Sequence, residues 1–515
     1  LLGCALSVVL AAPALAQSFK VPANGTTTVT APVASADPIT AEFDQSGAQA
    51  ALVVASGGKI ENTGSGAAVG SSAADWSKTE LSVEAGGEVI SNDTGVDNVA
   101  KIDNQGLIEG GIFGVSLVKP EWDVSIVNGP GGVITGGYQG IYVSDLLSSP
   151  ANVSIDNAGT INGGVYVQSR RMTLINSGTI ENLDEIAVRT IASSNNSISN
   201  SGLIRGANGG ILVADLGDAG AITIENTGTI ELTSTTAGFD AAAVALYDDA
   251  RFINDGVVTA VGDSHGVLWS KNGEMINREG ASISVEGGAA LYAFGALGTV
   301  QNAGLLYSAQ GPGIYVDEDS DLTSISNAKS GSILSDSFAA LFIQGKVGTI
   351  TNAGLIEGAE AGVGIDNYSM ISGVLVPNLT NTGTIRGGLD GVVLLGDAVG
   401  TLTNSGTIEG VLGAGVYTGG GAPTIVNSGT IRGGGWGIDV GPDTEKITIQ
   451  NSAAIEATVA GGTAIWVDSA DTTLNNTGQI LGNVLLGDGD DKITVSGGGA
   501  IVGDLFLGGG VNIVS

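Results

Sequence analysis

The 515 residues hold one histidine, His265, in the phrase "GDSHGVLWS", with Asp263 and Ser264 directly before it. A nucleophile, base and carboxylate triad is assembled in space from separate segments, so three adjacent residues do not make one. The one cysteine, Cys4, lies in an apolar N-terminal stretch, and a single sulfur supports neither a disulfide framework nor a thiolate metal set. Carboxylates are plentiful: 52 Asp and Glu stand against 18 Lys and Arg, a net charge of −34. Glycoside hydrolysis needs a pair of them ~5–9.5 Å apart, yet on so acidic a surface chance proximity carries no information.

Metal chemistry has one candidate. "LGDGDDKIT" at 486–494 approaches the calcium nonapeptide G-G-x-G-x-D-x-U-x, and a weaker copy, "LGGGVNIVS", begins at Leu507 with Asn512 in the Asp position. Calcium takes six or more oxygens, which would come from Asp488, Asp490 and Asp491 shared between turns. The plainer reading is a solvated acidic turn, and the run "DEDSD" at 317–321 reads the same way. No phosphate loop, zinc spacing or nucleotide fingerprint is present.

Aromatics offer binding chemistry. Tyr142, Tyr166, Tyr247, Trp269, Tyr292, Tyr315, Phe342, Tyr417 and Trp466 recur in G-[IV]-Y-V-like phrases. If flanking aliphatics such as Ile314 and Val316 point inward, these rings point outward. Tyr247, Trp269, Tyr292, Tyr315 and Phe342 then line a stripe ~19 Å long. Asp317 follows Tyr315, and Asp468 follows Trp466, by two residues, which places carboxylates on the same face. Such a strip suits a glycan or a partner protein; the alternative is that the rings only stabilise a sheet face by neighbour pairing.

What positions these residues is a repeat. "NTGTIRG" at 381–387, "NSGTIEG" at 404–410 and "NSGTIRG" at 427–433 are three copies of one phrase. Its Asn recurs at Asn104, Asn128, Asn157, Asn176, Asn200, Asn226, Asn254, Asn277, Asn302, Asn327, Asn352, Asn381, Asn404, Asn427, Asn451 and Asn476. In "VSIDNAGTINGGVYV" at 153–167, Val153, Ile155, Ile161, Val165 and Val167 alternate with polar or small residues. Period two reads as strand, and the Gly-rich breaks read as turns.

Short strands repeating every ~25 residues predict an all-β fold: a right-handed parallel β-helix, a solenoid of about 16–20 rungs. At ~4.8 Å per rung its regular part would be a rod roughly 75 Å long. A lone rung buries too few aliphatics to offset the entropy of ordering it, so rungs hold only as an array. The Asn continues the inward alternation, and identical Asn residues above and below would satisfy its amide as a ladder. The Gly two positions on is expected at a positive-φ corner. The variable letter, Arg386, Glu409 or Arg432, is expected to face water.

Residues 1–16 read as a secretory signal peptide ending in Ala14-Leu15-Ala16. Irregular rungs and a cap are expected over 17–100, the regular repeat over 101–482, and short-turn acidic rungs over 483–515. No later apolar run approaches the ~18 residues of a membrane helix. The net charge argues against a nucleic-acid partner.

The signal, the "N-[ST]-G-T-I" rungs, the acidity and the closing "NVLLGDGDDKITVSGGGAIVGDLFLGGG" together resemble the passenger region of bacterial autotransporters, over about residues 17–515. That resemblance implies export through the periplasm to a Gram-negative cell surface or beyond. It also implies an outer-membrane translocator barrel beyond Ser515, and work as an adhesin or display scaffold on host or environmental surfaces. Filamentous adhesins secreted by a separate partner share the rod but carry a distinctive N-terminal secretion domain; none is recognised in 19–100, and this secretion route stays open as an alternative. Parallel β-helices also carry polysaccharide lyases and glycosidases, so a carbohydrate-active enzyme is the alternative, and a calcium-responsive surface module a third. Lyases of this fold lean on bases beside clustered acids, and Arg170-Arg171 is the only adjacent basic pair. No catalytic residue is assigned.

Overall fold

The computed structural model describes residues 6–10, 17–44, 46, 48–144, 151–169, 171–192, 196–214, 221–237, 241–367 and 375–515. They form two compact units, Leu1–Ala237 with Ala241–Phe252, and Ile253–Ser515 with Gly238–Asp240. Each unit is all-β, and no helix occurs among the described residues. Strands lie in three parallel sheets of a β-solenoid, about 19 turns in all.

One coil of the first unit shows how the residues make the fold. Asn152–Asn157, Thr160–Asn162 and Val165–Ser169 are its three strands, one in each sheet. Val153, Ile155, Ile161, Val165 and Val167 are all buried. Successive side chains on a strand point to opposite faces, so alternating apolar residues fill the interior and their neighbours face out. The next coil lies in register, with Ile155 on Leu174 and Ile161 on Ile180. The second unit repeats this, and its second sheet stacks Ile385, Ile408, Ile431, Ile455 and Ile480 in one buried column.

The buried Asn residues form a hydrogen-bonded column in each unit. In the first, Nδ2 of Asn104 donates to Oδ1 of Asn128, and the chain runs on through Asn157, Asn176, Asn200 and Asn226 at 2.7–2.8 Å. In the second it runs from Asn254 through Asn277, Asn302, Asn327, Asn352, Asn381, Asn404, Asn427 and Asn451 to Asn476 at 2.8–2.9 Å. Valine ends both runs: Val83 lies in register with Asn104, and Val495 with Asn476.

The corner glycines act differently from the expectation. Gly178, Gly202, Gly383, Gly406 and Gly429 are not among the positive-φ residues. A Cβ added to any of them would run into the carbonyl oxygen of the corner glycine one coil earlier. Close stacking of corners, and not an unusual φ, demands glycine there.

The variable letter does face outward, but it is paired. Arg386 donates from Nη1 to Glu357 at 2.6 Å and from Nε to Glu409 at 3.3 Å, and Arg432 reaches Glu409 at 3.0 Å. Arg205 likewise bridges Glu181 and Glu231 in the first unit.

Residues 17–100 form the same coils without the Asn: Gly25–Val29, Ala50–Val54 and Thr79–Val83 lie in parallel ahead of Lys101–Asn104. Leu6–Leu10, from the expected signal, is a strand parallel to Gly25–Val29. Cys4, Ala14–Ala16 and Arg170 lie outside the described residues.

Candidate functional site

The outer face of the third sheet carries the aromatics. In the second unit Tyr292, Tyr315 and Phe342 are in register on Leu291–Ala293, Ile314–Val316 and Leu341–Ile343. Their rings stack, Tyr292 on Tyr315 at 5.0 Å and Tyr315 on Phe342 at 5.6 Å. Parallel in-register pairing leaves like side chains about one strand spacing apart, which is the stacking distance of rings. Gly364 follows Phe342 in register, and a Cβ there would meet the Phe342 ring at 3.2 Å, so the stack ends over a glycine.

Trp269 is a correction. It is 1% exposed and lies in register with Ala293, on the core side; Leu268 is the residue that pairs with Tyr292. Trp269 and Tyr292 both stand fifteen residues after their Asn. The Asn corner before Trp269, 255–256, is however two residues shorter than 278–281. The run from Ala260 to Val267 is one residue longer than the matching run from Val285 to Leu291, so Trp269 falls one position further along its strand than Tyr292. A slip of one residue moves a side chain to the other face of a strand. Tyr292 is also largely covered, at 7% exposure, between Tyr315 and the His265 ring 4.7 Å away.

Beside the stack is a groove of ≈310 Å³. Tyr315 and Phe342 form one wall, Phe338 another, and Gly288, Gly311 and Pro312 the floor, with His265 at one end. Phe338 stands edge-on to Phe342 at 5.2 Å. Any Cβ at Gly288 would collide with Ser264 O and His265 Nδ1, so only glycine lets this turn pack against the coil before it. His265 is buried, and its Nδ1 accepts from the Ala289 amide at 2.9 Å, which leaves a neutral ring carrying its proton on Nε2. Ser264 Oγ is buried without a partner, so the phrase builds no triad. The Tyr315 hydroxyl donates to Gln344 and the Tyr292 hydroxyl to Asp317 Oδ2. Asp317 thereby braces the stack. Burial, with Asp317 and Glu318 nearby, pushes the Tyr315 phenol upward.

The remaining predicted residues fall elsewhere. Tyr247, in the first unit, is half-buried after Ala242–Leu246. Trp466 is 38% exposed, with its ring 5.4 Å from Trp436, in a column that runs Val393, Tyr417, Asp439, Trp466. Asp439, missed from the sequence, is pushed up to about 6 by burial and by the charges of Asp390 and the exposed Asp468. Asp390 Oδ1 accepts from the Ala414 amide at 2.6 Å.

Each carboxylate of the acidic turn accepts a backbone amide of a neighbouring coil. Asp488 accepts from Gly509 N, Asp490 from Val511 N, and Asp491 from Thr472 N, so these carboxylates staple neighbouring coils. Among the described residues no group of three or more His, Cys, Asp or Glu is arranged to hold a metal ion.

The first unit has a matching construction that the repeat pattern only half revealed. Tyr142, Tyr166 and Arg189 are in register, with the Tyr rings 5.2 Å apart and 12° from parallel. Phe113 stacks on Tyr142 at 4.9 Å, and Tyr138 stands edge-on to Phe113 at 6.1 Å. Phe338 and Tyr138 were missed because both sit in the turn before the third strand. Their only signal is an aromatic a few residues ahead of the G-[IV]-Y-V-like phrase.

Neither a protein-family model nor a curated protein matches this chain. Its class therefore rests on its fold, a three-sheet parallel β-solenoid with aromatic grooves on one sheet.

Proposed function

We propose that the chain is a secreted, surface-displayed solenoid that binds its ligand without transforming it, as an adhesin or display scaffold. The groove between Phe338 and the Tyr315–Phe342 stack carries this reading, because aromatic rings beside a glycine-lined surface suit the apolar face of a sugar ring. Glycans on host or environmental surfaces are the partners it fits. Export to a Gram-negative surface through a translocator barrel belongs to the same reading, on the resemblance to autotransporter passengers.

The test is retention of purified chain on immobilised glycans and on cells. Phe338→Ser and Phe342→Ser should each lower retention about tenfold, the value of one or two lost ring contacts. Retention unchanged in both variants leaves the aromatics a purely structural role. Surface labelling of intact cells that express the tagged chain tests display.

The enzyme reading is supported by a different feature, Asp439 between Asp390 and Asp468 beside the Trp436–Trp466 pair. A carboxyl that stays protonated near pH 6 suits a general acid. Release of reducing ends from a polysaccharide, lost in Asp439→Asn, would establish it in place of simple binding.

A further inference from the structure

We propose that the first unit carries its own site, a groove between Tyr138 and the Tyr142–Tyr166 stack that takes an acidic saccharide and reads its carboxylate with Arg189. The groove encloses ≈380 Å³, at the lower end of the ~300–1,000 Å³ of small-ligand sites. It therefore suits one or two sugar rings rather than a folded partner. Tyr138 is 61% exposed and meets the Phe113 ring edge-on, which leaves a face for a sugar to stack on.

Arg189 supplies the sign of the ligand. Its guanidinium lies over the Tyr166 ring, 5.7 Å from the centroid, in the same groove. Among the described residues no carboxylate lies within ion-pair distance of Arg189, although the chain has 52 acids for 18 bases. Arg205, Arg386 and Arg432, by contrast, are all taken up by glutamates of neighbouring coils. An exposed guanidinium fixed on an aromatic face presents its planar fork to a carboxylate.

Gln139 and Glu185 also line the groove, beside Phe113 and Ile186. Gln139 and Glu185 offer an amide and a carboxylate to sugar hydroxyls. Glu185 would repel a ligand that carries charge alone, whereas a uronate brings hydroxyls for Glu185 and a carboxylate for Arg189. This site is separate from the Phe338 groove of the second unit and stands or falls without it.

Calorimetry with the full chain tests the proposal, with trigalacturonate, its methyl ester and hexaglutamate as probes. Trigalacturonate should bind about tenfold or more tighter than the ester, the worth of one charge-assisted hydrogen-bonded pair. Arg189→Gln should abolish that preference and Arg189→Lys should restore part of it. Tyr138→Ser should weaken both sugars alike, and Phe338→Ser should change nothing here. Circular dichroism identical to wild type shows that each variant is folded. The proposal is overturned if trigalacturonate does not bind, if Arg189→Gln keeps the preference, or if hexaglutamate binds as tightly as the sugar.

Discussion

Asn381 donates from Nδ2 to Oδ1 of Asn404 at 2.8 Å, and Asn404 donates in turn to Asn427. Each amide in the column is thus acceptor to the coil before it and donor to the coil after it. Asn404→Ala should remove both ladder bonds, to Asn381 and Asn427, together with the bonds from Asn404 Nδ2 to the Gly406 and Thr430 carbonyls, at a cost on the order of 2–4 kcal/mol. Asn476→Val breaks one ladder bond instead of two and sets a valine against Val495, so its cost should be smaller. Hydrogen exchange should show the loss concentrated in coils 381–433 for Asn404→Ala, because neighbours in a solenoid carry the coupling. Equal effects from the two variants would remove the ladder from the account.

Charge alternation on the second sheet should set coil-to-coil register. Glu357, Arg386, Glu409 and Arg432 follow one another in register. Arg386→Glu aligns three carboxylates and should cost about 1–2 kcal/mol, more than the ~0.2–1 of an isolated surface pair. Adding Glu409→Arg should recover part of it. Thermal unfolding at low and high salt checks this, since screening shrinks the penalty of the single variant.

Trp269 and Trp466, both on third-sheet strands, should separate sharply. Trp269→Ser opens a core cavity and should cost about 3–5 kcal/mol, while Trp466→Ser should stay within roughly 0.5 kcal/mol. Iodide should quench Trp466 fluorescence and leave Trp269 largely untouched. Strong quenching that disappears in Trp269→Phe would return Trp269 to the surface.

Stability should fall as pH rises from about 4 to about 6. Burial pushes Asp97 in the first unit and Asp439 in the second up to about 6, above their ordinary value of 3.8. Within that window the folded chain holds protons that the unfolded chain has released, so folding is favoured on the acid side and the advantage is lost on the way to pH 6. Asp44 and Asp75, held low by hydrogen bonds from Ser46 and Ser77, titrate below the window. Buried His265, neutral with Nδ1 accepting, opposes the decline because the unfolded ring gains a proton below about pH 6.5. Denaturant midpoints between pH 4.5 and 6 should therefore decline modestly, and less still in Asp439→Asn. A midpoint that climbs with pH contradicts the assignment.

The repeat by itself determined that the chain stacks parallel coils with Asn at the corners, because period-two alternation and a buried amide admit few other solutions. It equally marked which aliphatics fill the core, as Ile155 and Ile431 illustrate. Tertiary structure decided the rest. Whether Trp269 or Leu268 joins the aromatic face depends on one residue of turn length, which an Asn-to-aromatic spacing does not reveal. The corner glycines answer to the carbonyl of another coil, some 25 residues away in sequence. Arg386 finds Glu357 and Glu409, and Phe338 and Tyr138 wall their grooves, only once coils lie one upon another. Contacts between coils run along the axis of the stack, a direction that periodicity within a single strand does not encode.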